Sequence, residues 1–174
     1  MLTTTIRIIL SAIFAALLSA HASSESAELR VGNLVLSYDA VRWRLERSSV
    51  DEAVLEPIGE LRKSQDPVRF VKRKGALAST CRAIARDTWA GDLYADPEAT
   101  PTEFVGRPAT RLAVHTRCRN ATPVGRITCA EDDGSIYAVM SVNAISDCRA
   151  DIPVLYPDPA PLDLLLDGLR FTSR

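Results

Sequence analysis

The chain has 174 residues, of which 47% are hydrophobic, 25% charged and 6% aromatic, with a formal net charge of -1. Those proportions fit one globular domain of about 100–200 residues and exclude a disordered tail, a low-complexity chain and a multi-span membrane protein. A charge this close to zero removes the electrostatic reason to expect a nucleic acid partner.

The first residues, MLTTTIRIILSAIFAALLSAHA, read as a secretion signal. Arg7 precedes an apolar run from Ile8 to Ala20, and Ala20-His21-Ala22 supplies the small–x–small cleavage pattern. The run is shorter than the roughly 20 residues that cross a bilayer, and no cysteine stands at the cleavage point to carry a lipid. A retained membrane anchor is the alternative reading. The expected organisation is a signal peptide over 1–22 and a single exported domain, periplasmic or secreted, over 23–174. The 174 residues less these 22 leave 152, with 20 basic against 22 acidic residues. His115 is then the one histidine of the exported part.

All four cysteines, Cys81, Cys118, Cys129 and Cys148, fall in the exported part. An even number in an oxidising compartment favours disulfides, and four cysteines allow three pairings. Cys118 and Cys129 flank the turn-rich NATPVG, which suggests neighbouring strands and leaves Cys81 with Cys148. The cysteines stand 37, 11 and 19 positions apart, without a CxxC pair, so neither zinc binding nor dithiol redox chemistry is expected.

Strand patterns dominate the exported part. Gly32-Asn33 separates Leu29–Val31 from Leu34–Tyr38 as a tight hairpin. Val41, Trp43 and Leu45 then alternate with Arg42, Arg44 and Glu46, the period of a half-buried strand. Ala53–Glu56 is a short apolar run, 60–65 a helical turn or loop, and Val68–Lys72 a further strand. The stretch 75–89 carries both periods: Leu77, Cys81, Ile84, Ala85 and Thr88 at helical spacing, and an alternation with mixed faces. We expect a strand over Ser79–Thr88, in keeping with its neighbours. Asp92–Thr102, with Pro97 and Pro101, reads as an exposed loop. Strands continue over Thr110–Cys118, Arg126–Ala130 and, after the acidic turn, Ser135–Ala144, which is the most apolar and is expected at the centre of the sheet. Leu162, Leu165, Leu166 and Leu169 form one face of a C-terminal helix that opens with Pro161, and Leu169–Phe171 suits a short closing strand. The fold class is α+β: a single domain, mainly antiparallel sheet, with the C-terminal helix packed on it and two disulfides.

Paired strands running into LVLSYDAVRW, a strand introduced by FVGRPATR, the hairpin EDDGSIYAVMSV and a leucine-rich helix closing in LRF come in an order that resembles the PsbP-like superfamily. The resemblance covers most of 28–171 as a pattern of elements, without a diagnostic motif. It implies a small exported domain with an antiparallel sheet between helices, binding a protein partner or having no known activity, and it transfers no site residues. The cysteines and the weak helix signal in the middle depart from that pattern.

Catalytic signals are thin. His115 has no GxSxG elbow to place a serine beside it, and a strand histidine is more often a surface residue. Glu131-Asp132-Asp133 sits in a turn, where solvation accounts for acids, and it lacks the spacing of a calcium loop. Asn120-Ala121-Thr122 matches a glycosylation sequon and reads first as a turn. Two basic groups are candidate binding residues: Arg69, Lys72, Arg73 and Lys74 at a strand end, and Arg42 and Arg44, with Arg47, on the tryptophan strand. They would receive an acidic partner or an anionic membrane surface, although a solvated sheet face is the plainer reading. The expectation is a non-catalytic binding or accessory protein with a protein or envelope partner, no cofactor and no metal. The alternatives are a small carboxylate-dependent hydrolase using Asp132 or Asp133, and a structural subunit of an envelope assembly.

Overall fold

A computed structural model describes residues 25–63, 65–89, 97–115, 125–142 and 160–172. The signal segment, the sequon at Asn120, Cys118, Cys148, Ala144 and the first part of the loop expected after Asp92 lie outside the described residues.

The chain opens with β1 (Ser26–Val31) and β2 (Leu34–Asp39), joined by the Gly32-Asn33 hairpin in which Gly32 takes a left-handed φ of 56°. β2 is the middle strand of a three-stranded sheet whose other neighbour is the last strand, β10 (Leu169–Phe171). From β2 the chain turns into a second, seven-stranded antiparallel sheet of order β3-β4-β5-β9-β8-β7-β6. Its strands are β3 (Trp43–Ser48), β4 (Glu52–Pro57), β5 (Val68–Lys74), β6 (Ala99–Phe104), β7 (Arg107–Val114), β8 (Gly125–Asp132) and β9 (Ser135–Val142). The apolar strand β9 is the fourth of the seven, at the centre, as its composition indicates.

Strand alternation divides the core in two. On one face of the large sheet, Leu55, Val68, Phe70, Tyr137 and Val139 meet Leu29, Val31, Leu34 and Leu36 of the small sheet, with Leu165 and Leu169 beside them. On the other face Val71, Leu112, Ile127, Ala138 and Met140 lie under a helix. The layers are therefore helix, large sheet, and small sheet with the C-terminal helix α2 (Ala160–Leu166) against β2. The α+β architecture and the C-terminal helix agree with the sequence reading.

The covering helix is α1 (Leu77–Thr88), in place of the expected strand. The mixed faces of the alternating pattern explain the result: only the helical register gathers Cys81, Ile84 and Ala85 onto one buried face. Gly75 makes the turn from β5 at a φ of 140°, where a side chain would run into Thr80 Oγ1.

The same helix corrects the cysteine pairing. Cys129 on β8 is bonded to Cys81 on α1, with Cα atoms 6.0 Å apart, and not to Cys118. Cys129 shares the helix-covered face of the sheet with Ala138, and a residue on the buried side of α1 reaches it directly. Cys81 is therefore not available to Cys148. Among the described residues one disulfide is present rather than two.

Two further expectations give way at the sheet borders. Val41, Trp43 and Leu45 do not form one buried face: Val41 falls in the β2–β3 turn, and only Trp43 is buried. β3 is an edge strand with a bulge between Leu45 and Arg47, so little packs on it beyond its first residue. Ala99–Thr102, read as loop, belongs to the opposite edge strand, β6, where Pro101 is tolerated. The stretch 60–65 resolves into a 3-10 turn over Gly59–Lys63.

Candidate docking surface

The basic residues singled out in the sequence do not form one patch. Along β5, Arg69 and Arg73 pair across β9 with Met140 and Ile136, on the helix-side face, whereas Lys72 and Lys74 pair with Tyr137 and Ser135, on the other. Arg44 lies opposite Glu56 and Arg47 opposite Val54, so the bulge in β3 brings both arginines to the helix-side face. There they meet acids of β4: Arg44 forms an ion pair with Glu56, while Arg47 at 3.9 Å and Arg69 at 3.6 Å share Glu52. Lys72 lies 3.9 Å from Asp51. Arg73 donates to the Lys72 carbonyl, and Lys74 is exposed at the end of β5. Exposed pairs of this kind contribute about 0–1 kcal/mol each and leave little net positive field.

Asp132 of the β8–β9 hairpin has structural partners. Asp132 Oδ1 accepts from Arg107 at 2.7 Å and Oδ2 from the Asn33 side-chain amide at 3.0 Å, with the Asp132 side chain only 9% exposed. Asn33 N–H donates to the Tyr137 hydroxyl at 3.1 Å, and the Arg107 guanidinium lies over the Phe171 ring. This network ties the β1–β2 turn to the large sheet. Asp133 and Gly134 form the turn itself, with φ values of 52° and 65°. His115 comes directly after β7 and is half-buried. Among the described residues no three His, Cys, Asp or Glu side chains gather as metal ligands.

Arg42 borders a concave surface. The β2–β3 turn crosses from the small sheet to the large one, and Asp39 Oδ1 holds it by accepting from Val41 N–H at 2.9 Å. Two depressions flank the turn. One, of about 140 Å³, has Arg42 and the buried Trp43 on one side and Pro161, Leu164 and Leu165 of α2 on the other. The second, of about 370 Å³, lies between Val41 and Arg42, the 3-10 turn with Ile58 and Leu61, and Pro161. Val41 and Leu164 stand 62% and 63% exposed at their rims. Neither depression contains Asp132 or Asp133.

Leu164 carried a sequence signal: it is an apolar residue that falls off the Leu162, Leu165, Leu166 and Leu169 stripe. Trp43 and Pro161 carried none, because their common surface exists only once β2 and α2 pack together. Asp66, beyond the 3-10 turn, has its carboxyl raised above the ordinary value because burial strips it of water.

The chain has a PsbP-like fold. It is similar to the solution structure of cyanobacterial PsbP (CyanoP) from Synechocystis sp. PCC 6803, with a TM-score of 0.50 and 13% identity over 88% of this chain and 96% of that one. At that identity the likeness speaks to the fold alone. A crystal structure from Bacteroides thetaiotaomicron VPI-5482 matches at 6% identity and a TM-score of 0.38, over 82% of this chain and 46% of that one. No family model and no curated protein matches the sequence.

Proposed function

We propose that this chain is an exported, non-catalytic accessory domain that docks a protein of the cell envelope. The observation that carries the reading is the surface at the β2–β3 turn, where Val41 and Leu164 hold apolar side chains in water beside two adjoining depressions. Exposed apolar side chains beside concavities are a kind of surface that interaction sites use. The PsbP-like fold, the Cys81–Cys129 disulfide and the signal reading of 1–22 support export. No described helix is long and apolar enough to cross a membrane.

The test is in cells that make the protein. The full chain with a C-terminal tag should be recovered from the envelope compartment beginning at Ser23, and formaldehyde should fix it reproducibly to one protein. Combining Val41→Asp with Leu164→Asp should reduce that capture at least about tenfold without changing the melting temperature, since both side chains are exposed. Failure to capture any protein overturns the reading, and capture that survives the double substitution overturns this surface as the place of docking.

A further inference from the structure

We infer that the surface around the β2–β3 turn recognises a carboxylate flanked by apolar residues in an extended segment of a partner protein. This rests on the docking reading above and adds what the partner must present. Three observations at the turn specify it.

The first is a cation that forms no ion pair among the described residues. Asp39 is tied to the backbone of the turn through Val41 N–H, and Glu60 is paired with Lys63 at 2.6 Å. These are the carboxylates that line the two depressions, and neither forms an ion pair with Arg42. Arg42 is exposed and borders both depressions, so its planar guanidinium is open to a bidentate carboxylate.

The second is an unused donor. Trp43 is only 3% exposed and lines the smaller depression, yet nothing among the described residues accepts from its indole N–H. A buried indole usually finds an acceptor, and an unpaired donor in a near-dry site costs free energy that a bound acceptor recovers. Arg42 and Trp43 are neighbours in sequence, and both line the smaller depression.

The third is shape. At about 140 Å³ the smaller depression falls short of the 300–1,000 Å³ typical of compact ligands and suits one side chain or chain end. The larger depression adjoins it, and the two share Arg42 and Pro161, so the surface continues on both sides of the guanidinium. Leu164 on one side and Val41 with the half-buried Ile58 on the other provide apolar contact. An acid between apolar residues in an extended chain matches that order.

The experiment places the photo-reactive residue p-benzoylphenylalanine at position 164 in the full chain, inside cells, with position 50 as the control because Val50 is 77% exposed in the distant β3–β4 turn. Irradiation should give one protein adduct from position 164, and the cross-linked peptide should carry Asp, Glu or a C-terminal carboxylate within a few residues of an apolar contact. Arg42→Glu should lower the adduct at least about tenfold and Arg42→Gln should lower it less, with unchanged melting temperatures. An adduct to a lipid, to a segment without a carboxylate or to this chain itself overturns the inference, as does an adduct indifferent to Arg42. An adduct confined to position 50 overturns it and leaves the accessory role standing. If neither position yields an adduct and formaldehyde captures nothing, both fall together.

Discussion

Asp132 accepts from an arginine on β7 and an amide in the β1–β2 turn, so its carboxylate works as a joint between the two sheets. Replacing it by alanine leaves the Asn33 amide without its partner, and Asp132→Ala should cost about 1–3 kcal/mol in urea unfolding. Arg107→Ala should cost less, because that guanidinium is 42% exposed and water takes up part of the loss. Asp66 acts in the opposite sense. Its raised value means that the folded state disfavours the ionised form, so the penalty is absent below the ordinary carboxylate range near pH ~4. The penalty grows as pH rises past the unfolded-chain value and is complete above the folded-state value. Asp66→Asn should therefore stabilise the protein at pH 7, by less than ~1 kcal/mol for a half-buried group, and should make no difference near pH 3; thermal melts at the two pH values check this. At this scale the sequence was a partial guide. It located the acidic turn, but the Asn33 partner of Asp132 lies 99 positions away and no local pattern joins the two.

Among the elements, α1 is the instructive one. Its residues satisfy two periodicities, and local reading favours the one its neighbours adopt. The helix prevails because the second face of a seven-stranded sheet has to be covered, a demand that arises only when the sheet exists. The disulfide then fastens the cover to β8 across 48 positions. In the chain-entropy model a loop of that length contributes about 4 kcal/mol. Replacing Cys81 and Cys129 together by serine should lower stability by about 2–4 kcal/mol in denaturant unfolding. It should also raise amide exchange in α1 more than in β9, which retains its neighbours on both sides. Equal exchange in both elements would mean that the bond does not serve to hold the helix. The hairpins, by contrast, were plain from Gly32-Asn33 and from the acidic turn, because their signals are contained within a few residues. Edge strand β6 was hidden by Pro101, a residue that argues against a central strand and says nothing against a border one.

At the scale of the molecule, strand order was partly readable and layering was not. β7, β8 and β9 are consecutive in sequence and lie side by side, whereas β2 pairs with β10 from the far end of the chain and β5 is next to β9. The candidate docking surface belongs to this second kind of information. It is assembled from the β2–β3 turn, the 3-10 turn and the start of α2, so sequence alone could count Arg42 among the basic residues but could not distinguish it from Arg44 or Arg69. The structure separates them by their neighbours: Arg44 and Arg69 face glutamates of β4, and Arg42 faces two hollows. Central strand β9 carries one last consequence. Its successive residues Tyr137 and Ala138 answer to different interiors, the first between the sheets and the second beneath α1. A slip of one position would put a phenol under the helix and a methyl group where Asn33 and Phe171 expect an aromatic hydroxyl. Mispairing is thus punished on both sides at once, and the strand acts as a proofreader of the register on which the whole molecule depends.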